Sequence, residues 1–358
     1  MKKIALVTLY GNSNFGNKLQ NFAIQYKLEK MNIDVTTLRT FNSNIKYLKK
    51  IFNRIKYFIK KIYPYKLYRN NNFKNFEKKF LKNSKRIYFS NEDNSGLNSK
   101  YDFFIVGSDQ VWNPACGLKG NLKLLKFTQN RISFSASFSV DDISQKEKKE
   151  FKKELRNFKK ISVREDQGKN IIKNIDETLK VEVLIDPTML LDSKEWNKLA
   201  NKPKQLDSIK NGKYILNYFL GELSEKRKKE IERIAKENNC TIINILNESD
   251  PFYISGPSEF LYLEKNAFLI CTDSFHSSVF AIIFNRPFIV FDREQNGIKS
   301  MGSRIDTLLS KFKLEKRRFN GEKITKENLN HDYTEAYKIL EKEKKKSEEF
   351  LKKALDIQ

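Results

Sequence analysis

The chain has 358 residues, enough for two domains that can each bury a core. Lys and Arg outnumber Asp and Glu by 69 to 44, a formal net charge of +25 that points to anionic partners. Three cysteines without metal-ligand spacing argue against a disulfide framework or a zinc site, so we expect no metal and a reducing compartment. Lys2-Lys3 leads straight into a short strand, unlike a signal peptide, and no apolar run approaches the roughly 18–20 residues of a membrane-spanning helix.

Strand and helix patterns alternate along the first half of the chain. In order they predict strand Ile4–Leu9, helix Lys18–Met31, strands Val35–Leu38, Phe103–Val106 and Arg131–Ala136, helix Ser144–Arg156, strand Lys160–Val163, helix Glu165–Asn174 and strand Glu182–Asp186. Alternation of this kind predicts a parallel sheet covered by helices.

The pattern starts again after Pro187. Strands are predicted at Tyr214–Phe219, Thr241–Ile245, Ala267–Cys271 and Phe288–Phe291, with helices between them. We therefore expect an α/β protein of two Rossmann-like domains with parallel sheets, residues 1–188 and 189–330. Two such sheets form a GT-B-like architecture, with a ligand cleft where their carboxyl edges meet.

A basic insert is predicted in the first domain at about residues 41–100. From Phe41 to Ser90 there are fifteen Lys or Arg and one acid, Glu77, so this stretch holds over half of the net charge. Apolar residues recur at helical spacing over Ile45–Ile62, which predicts a basic amphipathic helix ending near Pro64. This helix either packs on its own domain or docks on an anionic membrane surface or a lipid pyrophosphate. Nucleic acid is disfavoured because no nucleic-acid-binding signature accompanies the charge.

One of the two histidines, His276, lies at a predicted strand-to-helix junction. The strand ends at Cys271, Asp273 or Ser274 can serve as the N-cap, and the helix stops before Pro287. His276 is thus expected in a first helical turn, beside unpaired backbone N–H groups and the positive end of the helix dipole, where an anion is favoured. The alternative is a histidine that caps the helix or fills a corner.

Two further loops follow predicted strands. Gly107 and Asp109 lie in a loop that directly follows the apolar run Phe103–Val106. The glycine loop Gly11–Gly16 follows the first strand and can bring backbone N–H groups close to a charged ligand group. Its spacing fits neither the dinucleotide fingerprint nor the phosphate loop. The alternative is a tight turn in which asparagines tolerate left-handed backbone.

Together these motifs resemble the polysaccharide pyruvyl transferase family. The resemblance covers residues 1 to about 310 through six ordered segments: Gly11–Asn17, Tyr101–Pro114, Ser162–Glu165, Leu184–Thr188, Gly256–Phe260 and Cys271–Val290. It implies transfer of pyruvate from phosphoenolpyruvate, a co-substrate used without another cofactor, onto a hydroxyl pair of a sugar in a cell-surface polysaccharide precursor, such as a capsule or exopolysaccharide. It also implies a C-terminal helix, within residues 331–358, that packs back across the domain junction.

The resemblance also implies roles for individual residues. His276 is expected to be the general acid or base, with Asp109 and Asp273 as partners. Arg164, at a strand end, is expected to hold the anionic donor through paired hydrogen bonds, with pairing to its acidic neighbours Glu165 or Asp166 as the alternative. The loops expected to line the cleft contribute Gly11, Asn14, Gly16, Asn17, Gly107 and Ser108.

Two positions depart from the family pattern. Many members carry arginine two positions before the histidine and glycine just after it, whereas this chain has Ser274 and Ser277, which we expect at the donor site. Lys18, Arg293 or Arg304 is expected to replace the missing cation, unless this branch binds a different donor.

Two other functions stay open on the sequence alone. One is a GT-B glycosyltransferase that uses a nucleotide sugar, and the other is a non-catalytic basic module that binds membrane or nucleic acid. The intact Gly107–Asp109 loop and His276 argue against the non-catalytic module. A cytoplasmic location is expected, peripheral on the inner face of the membrane if the basic helix docks there.

The docking alternative predicts a specific effect of charge removal. Replacing Lys49, Lys50, Arg54 and Lys56 with glutamine should abolish binding to anionic vesicles, because each basic residue near such a surface contributes on the order of 1 kcal/mol. Vesicle binding by the unaltered chain should fall steeply as salt rises. Reaction on a lipid-linked acceptor should slow while a water-soluble acceptor analogue is unaffected. Equal losses on both acceptors, or unchanged vesicle binding, would contradict docking.

Overall fold

The computed structural model describes residues 1–10, 13–41, 64–88, 94–294 and 302–357. The predicted basic helix Ile45–Ile62 and Gly11 lie outside these residues. The chain divides into two compact units. The first contains Met1–Pro64, Glu77–Leu190 and Glu343–Gln358, and the second contains Tyr65–Phe76 and Leu191–Lys342.

The first unit is built on a seven-stranded parallel sheet. Its strands are β1 (Lys3–Val7), β2 (Asp34–Phe41), β3 (Asn83–Tyr88), β4 (Phe103–Val106), β5 (Arg131–Ala136), β6 (Phe158–Val163) and β7 (Val181–Val183). The strand order is β3-β2-β1-β4-β5-β6-β7. The helices up to β7 are α1 (Phe15–Lys30), α2 (Pro64–Phe80), α3 (Gln145–Leu155) and α4 (Asp166–Ile175). Because the strands are parallel, their carboxyl ends share one edge, where such sheets place ligands.

Trp112 anchors the loop that follows β4. Its ring is fully buried, with centroids 5.3 Å from Phe138 and 5.4 Å from Phe151. Its indole N–H donates to the Lys123 carbonyl oxygen at 2.8 Å, which satisfies the polar edge of the ring. The loop between β4 and Trp112, which carries Asp109, is therefore held between the strand and an aromatic core.

The second unit is built on a four-stranded parallel sheet. Its strands are β8 (Tyr214–Tyr218), β9 (Thr241–Asn244), β10 (Leu269–Thr272) and β11 (Phe288–Val290), in the order β11-β10-β8-β9. The remaining helices are α5 (Ser193–Asn197), α6 (Glu225–Glu237), α7 (Pro257–Asn266), α8 (Phe275–Ile283), α9 (Ser303–Phe312), α10 (Lys326–Leu329) and α11 (Thr334–Ala354). The strand order reverses direction at β8 and β10, so their carboxyl ends form the topological switch point of this sheet.

Most of helix α2 belongs to the second unit. Arg69 donates to the Tyr253 carbonyl oxygen at 2.6 Å, and Asn72 donates to the Ile254 carbonyl oxygen at 2.8 Å. Gly256 allows this approach, because a Cβ there would lie 2.9 Å from the Asn72 Cβ. Tyr65–Phe76 is thus not part of an insert of the first domain, where the sequence pattern placed it.

The predicted C-terminal helix is α11, and it is divided between the units at Lys342 and Glu343. In the second unit, the Tyr337 hydroxyl donates to the Ile282 carbonyl oxygen at 2.8 Å. In the first unit, Phe350 packs 6.1 Å from Phe134. The predicted α/β class with two parallel sheets is confirmed. Within the described ranges, no helix is both long and apolar enough to cross a membrane.

Candidate active site

The loop after β4 has a backbone that restricts its residues. Gly107 has φ of +127°, and a Cβ there would collide with the Phe134 carbonyl oxygen, so the position requires glycine. Asp109 also has a positive φ, +64°, a conformation that Asp adopts more readily than most residues. Its backbone oxygen accepts from Ser137 N at 3.0 Å, which ties the loop to the end of β5.

Arg164 joins two carboxylates at the carboxyl edge of the first sheet. Its guanidinium contacts Asp109 Oδ1 at 3.2 Å and Asp186 Oδ2 at 2.6 Å, and its side chain is only 1% exposed. Asn17 from α1 donates to the other Asp109 oxygen. Burial alone would lower the pKa of Arg164, but the nearby carboxylates, Asp186 first, outweigh burial and raise it. The described geometry makes Arg164 a clamp that holds Asp109 and Asp186 together. Direct contact between Arg164 and the anionic co-substrate stays a prediction.

Ser108 extends the same buried network. Its hydroxyl lies 3.0 Å from both Asp186 Oδ2 and the Ser135 carbonyl oxygen. Its backbone N–H donates to Gln20 Oε1 at 3.2 Å, and the Gln20 amide donates to the Thr8 hydroxyl at 2.9 Å. The network therefore connects helix α1 to the ends of several strands, which fixes the shape of this edge.

The glycine loop leads into α1, whose first turn is capped and buried. Asn14 is the N-cap and accepts from Asn17 N at 3.1 Å, and Gly16 is buried in the first turn. Lys18, a predicted replacement for the missing family arginine, is 2% exposed and ion-paired with Glu77. Its ammonium also lies 4.9 Å from the centre of the Tyr10 ring. Burial lowers the pKa of Lys18 despite the opposing effect of Glu77. Lys18 therefore already has an anionic partner in α2.

Asp273 organises the carboxyl edge of the second sheet. Its two carboxylate oxygens accept from Leu220 N at 2.7 Å and Gly221 N at 2.8 Å. Arg293, a second candidate cation, donates to the same carboxylate at 3.1 Å. A Cβ on Gly221 would lie 2.6 Å from the Arg293 side chain, so this contact requires glycine. Asp273 thus holds the loop after β8 in place, and its predicted partnership with His276 stays a prediction.

His276 lies in the first turn of α8, directly after β10, as its motif predicted. Ser274 is the N-cap residue, and its side chain makes no capping hydrogen bond. The His276 ring is 7% exposed and stands edge-on to Phe275, with 5.3 Å between ring centroids. The Arg304 guanidinium lies 5.9 Å from the centre of the same Phe275 ring. His276 therefore lies at a helix N-terminus and Arg304 contacts the adjacent residue, Phe275, and a helix N-terminus with a cation nearby suits an anionic ligand.

Ser277 has a structural partner that the sequence analysis missed. Its hydroxyl donates to Glu264 Oε1 at 2.6 Å, and the Glu264 side chain is fully buried in α7. Burial raises the pKa of Glu264 well above the usual value and so favours the neutral carboxyl, although the bond from Ser277 opposes the shift. The available signal was spacing, because Glu264 follows the buried Phe260 by four residues on one face of a helix.

The sequence analysis also did not single out Arg69 and Tyr218, two buried residues of the second unit. Arg69 is 5% exposed and lies over the rings of Tyr253 and Phe73, at 5.0 and 5.2 Å. Tyr218, at the end of β8, is 2% exposed, and burial raises the pKa of its hydroxyl, with Asp273 acting in the same direction. Arg69 escaped notice because it lies in a run of basic residues typical of a solvated face.

Solved structures share this arrangement of two parallel sheets. A protein described as a UDP-N-acetylglucosamine 2-epimerase from Listeria monocytogenes matches 98% of this chain and 90% of its own length, at 11% identity and a TM-score of 0.52. A UDP-N-acetylglucosamine 2-epimerase from Rickettsia bellii matches 98% of this chain and 96% of its own, at 13% identity and a TM-score of 0.51. Such identities show the fold alone, and the fold is GT-B, as predicted.

The family model of polysaccharide pyruvyl transferases matches residues 14–295. The chain therefore belongs to the polysaccharide pyruvyl transferase family, which confirms the resemblance found in its motifs. A search of curated proteins gave no match. Membership makes the chain a transferase of polysaccharide biosynthesis.

The buried Glu264 predicts a pH-dependent stability. The unfolded chain loses this proton near the ordinary Glu pKa of 4.5, whereas the folded chain keeps it to higher pH. Stability therefore falls as pH rises above that value, by up to about 1.4 kcal/mol per unit, until the folded pKa is reached. Glu264→Gln should remove this contribution, so in urea unfolding the variant gains stability relative to the unaltered chain as pH rises above about 5. The exposed Glu177→Gln should show no such gain, and parallel curves for Glu264→Gln would contradict a neutral carboxyl.

The Arg164 clamp predicts a large loss of stability on removal of its charge. Arg164→Met leaves Asp109 and Asp186 buried without their shared cation, and should lower the free energy of unfolding by about 3–5 kcal/mol. Arg318→Met is the matched control, because Arg318 also joins two carboxylates, those of Asp292 and Asp306, whose side chains are 62% and 61% exposed. The control should cost no more than about 1 kcal/mol. Similar losses in both variants would show that the clamp is not a special contact.

Proposed function

We propose that the protein transfers pyruvate from phosphoenolpyruvate onto two hydroxyls of a sugar in a polysaccharide precursor and forms a cyclic ketal. Family membership over residues 14–295 supports the reaction class. The observation that carries the proposal is the position of His276. It lies in the first turn of α8 at the switch point of the second sheet. Its ring contacts the ring of Phe275, which the Arg304 guanidinium also contacts.

The reaction makes demands that this arrangement can meet. The methylene carbon of phosphoenolpyruvate gains a proton, which makes C2 electrophilic, and one sugar hydroxyl attacks C2. The C2–O bond to phosphate breaks, and a second sugar hydroxyl closes the ring. Two C–O bonds form and one breaks, while one hydroxyl proton balances the new methyl group and the other leaves with phosphate. Each step needs a group that moves a proton and a group that stabilises the anionic donor.

The residues near His276 supply both kinds of group. An imidazole can serve as a general acid or as a general base. The N-terminus of α8 and the Arg304 guanidinium favour the carboxylate and phosphate of the donor. Asp273 acts indirectly, because its carboxylate is occupied by two backbone N–H groups and Arg293. We propose phosphoenolpyruvate as co-substrate and no further cofactor.

The acceptor belongs to the same proposal. A polysaccharide precursor carried on a lipid pyrophosphate would complement the excess of fourteen positive charges between Phe41 and Ser90. The protein would then work at the inner face of an anionic membrane, where such a precursor is carried.

His276→Ala should fold normally and lose pyruvyl transfer by at least about a hundredfold, the usual scale for removal of a general acid or base. The measurement is phosphate release from phosphoenolpyruvate that depends on a panel of lipid-linked glycans. His331→Ala is the matched control, because this exposed histidine contacts the Asn285 carbonyl oxygen at 2.9 Å in another part of the second unit. Near-normal turnover in His276→Ala would refute the catalytic assignment. Absence of acceptor-dependent phosphate release in the unaltered chain would refute the donor.

A further inference from the structure

A pair of asparagine amides lies at the carboxyl edge of the second sheet. Asn217 is 5% exposed within the buried strand β8. Its amide Nδ2 donates to Asn244 Oδ1, at the end of β9, at a distance of 2.9 Å. Among the residues that the structure describes, Asn217 Oδ1 has no hydrogen-bond donor although it is buried. An unpaired buried oxygen of this kind is destabilising, so an apolar side chain would serve the core better than Asn217 does.

A cavity of about 430 Å³ opens beside this pair, between helix α6 and the ends of β8 and β9. Its volume lies within the range of about 300–1,000 Å³ that is usual for small-molecule sites. The apolar part of its wall consists of Phe219, Leu223, Ile231, Ile242 and Leu246. The amides and the oppositely charged Lys228 and Glu232 form the polar part, so the cavity carries no net charge.

These groups define the chemistry of a ligand. Asparagine amides both donate and accept hydrogen bonds, and so do hydroxyl groups. An aromatic ring beside aliphatic walls suits the apolar face of a sugar ring, and the balanced charges favour a neutral ligand. We propose that this cavity binds a neutral sugar residue of the acceptor, with its hydroxyls bonded by the amides of Asn244 and Asn247 in the wall and with Asn217 holding Asn244 in place. That the sugar belongs to the acceptor rests on the proposed function.

The position of the cavity separates its role from that of His276. Helix α6 packs on the sheet face that carries Ile215 and Cys271. Helix α8 packs on the other face, because its Phe280 contacts Phe260 of α7, and Phe260 contacts Tyr218, which points to the face opposite Ile215. The cavity thus shares the carboxyl edge with His276 but lies on the opposite face of the sheet. A cavity so placed would bind a sugar residue other than the one that is modified.

One loop connects the two places. Phe219 and Leu223 line the cavity, while the N–H groups of Leu220 and Gly221 between them are bound by Asp273. Asp273 lies three residues before His276, and its carboxylate also holds the loop that forms one wall of the cavity. A bound sugar residue and the reacting group are positioned by the same carboxylate.

The test is saturation-transfer NMR on the whole chain, without donor, using methyl glycosides of glucose, galactose, mannose and N-acetylglucosamine. We expect saturation of at least one glycoside. Asn217→Leu should weaken that binding by about tenfold, because it removes the hydrogen bond that holds Asn244 in the cavity wall. Asn266→Leu is the matched control, because its amide donates to the Tyr262 carbonyl oxygen and lines no part of the cavity. The control should bind as the unaltered chain does.

Two further outcomes keep the test decisive. Leu223→Trp fills the cavity without touching Asn217 and should also abolish binding, even if Asn217→Leu folds poorly. If no glycoside is saturated, or if both cavity variants bind normally, the cavity holds only water and the proposal fails. Because the assay contains no phosphoenolpyruvate, loss of the proposed reaction would leave its result unchanged. Conversely, transfer that persists while both variants bind sugar normally would overturn the cavity proposal alone.

Discussion

Arg164 lies between Asp109 and Asp186, and the carboxyl edge of the first unit depends on this contact. The three residues follow three different strands, β4, β6 and β7, so their pairing fixes the relative positions of those strand ends. Burial of carboxylates is destabilising, and the guanidinium between Asp109 and Asp186 offsets that cost for both. Ser108 and Asn17 then add hydrogen bonds to the same carboxylates, which leaves this edge little freedom to rearrange.

The second unit uses one carboxylate for a similar purpose. Asp273 binds two consecutive backbone N–H groups and Arg293, and so joins the loop after β8 to the end of β10. The motif residues therefore fall into two groups. Asp109, Arg164 and Asp273 give the two edges their shape, whereas His276 lies at a helix N-terminus where a ligand would be favoured. A residue can belong to a functional motif because it positions the loop on which chemistry depends.

Local patterns in the sequence predicted much of the fold, since a short apolar run such as Phe103–Val106 is a strand with sharp limits. Helix α2 was not predicted, because its sequence is polar and its place is set by distant carbonyl oxygens of the second unit. The site also contains features set by neighbouring residues in the sequence and features set by distant ones. The helix N-terminus at His276 could be predicted from adjacent residues, but Asp186 could not be identified as the partner of Arg164. Pairing across 22 residues depends on which strands become neighbours, and spacing alone does not encode that.

The hydrogen bond from Ser277 to Glu264 has an evolutionary consequence. A buried carboxyl needs a hydrogen-bond partner, and Ser277 supplies a donor. Glycine at position 277 would offer no side chain for this bond and would leave the Glu264 carboxyl without that donor. We therefore expect the residues at positions 264 and 277 to change together during evolution. Position 277 links the first turn of α8 to the buried carboxyl of α7, so its identity depends on the core as much as on the site.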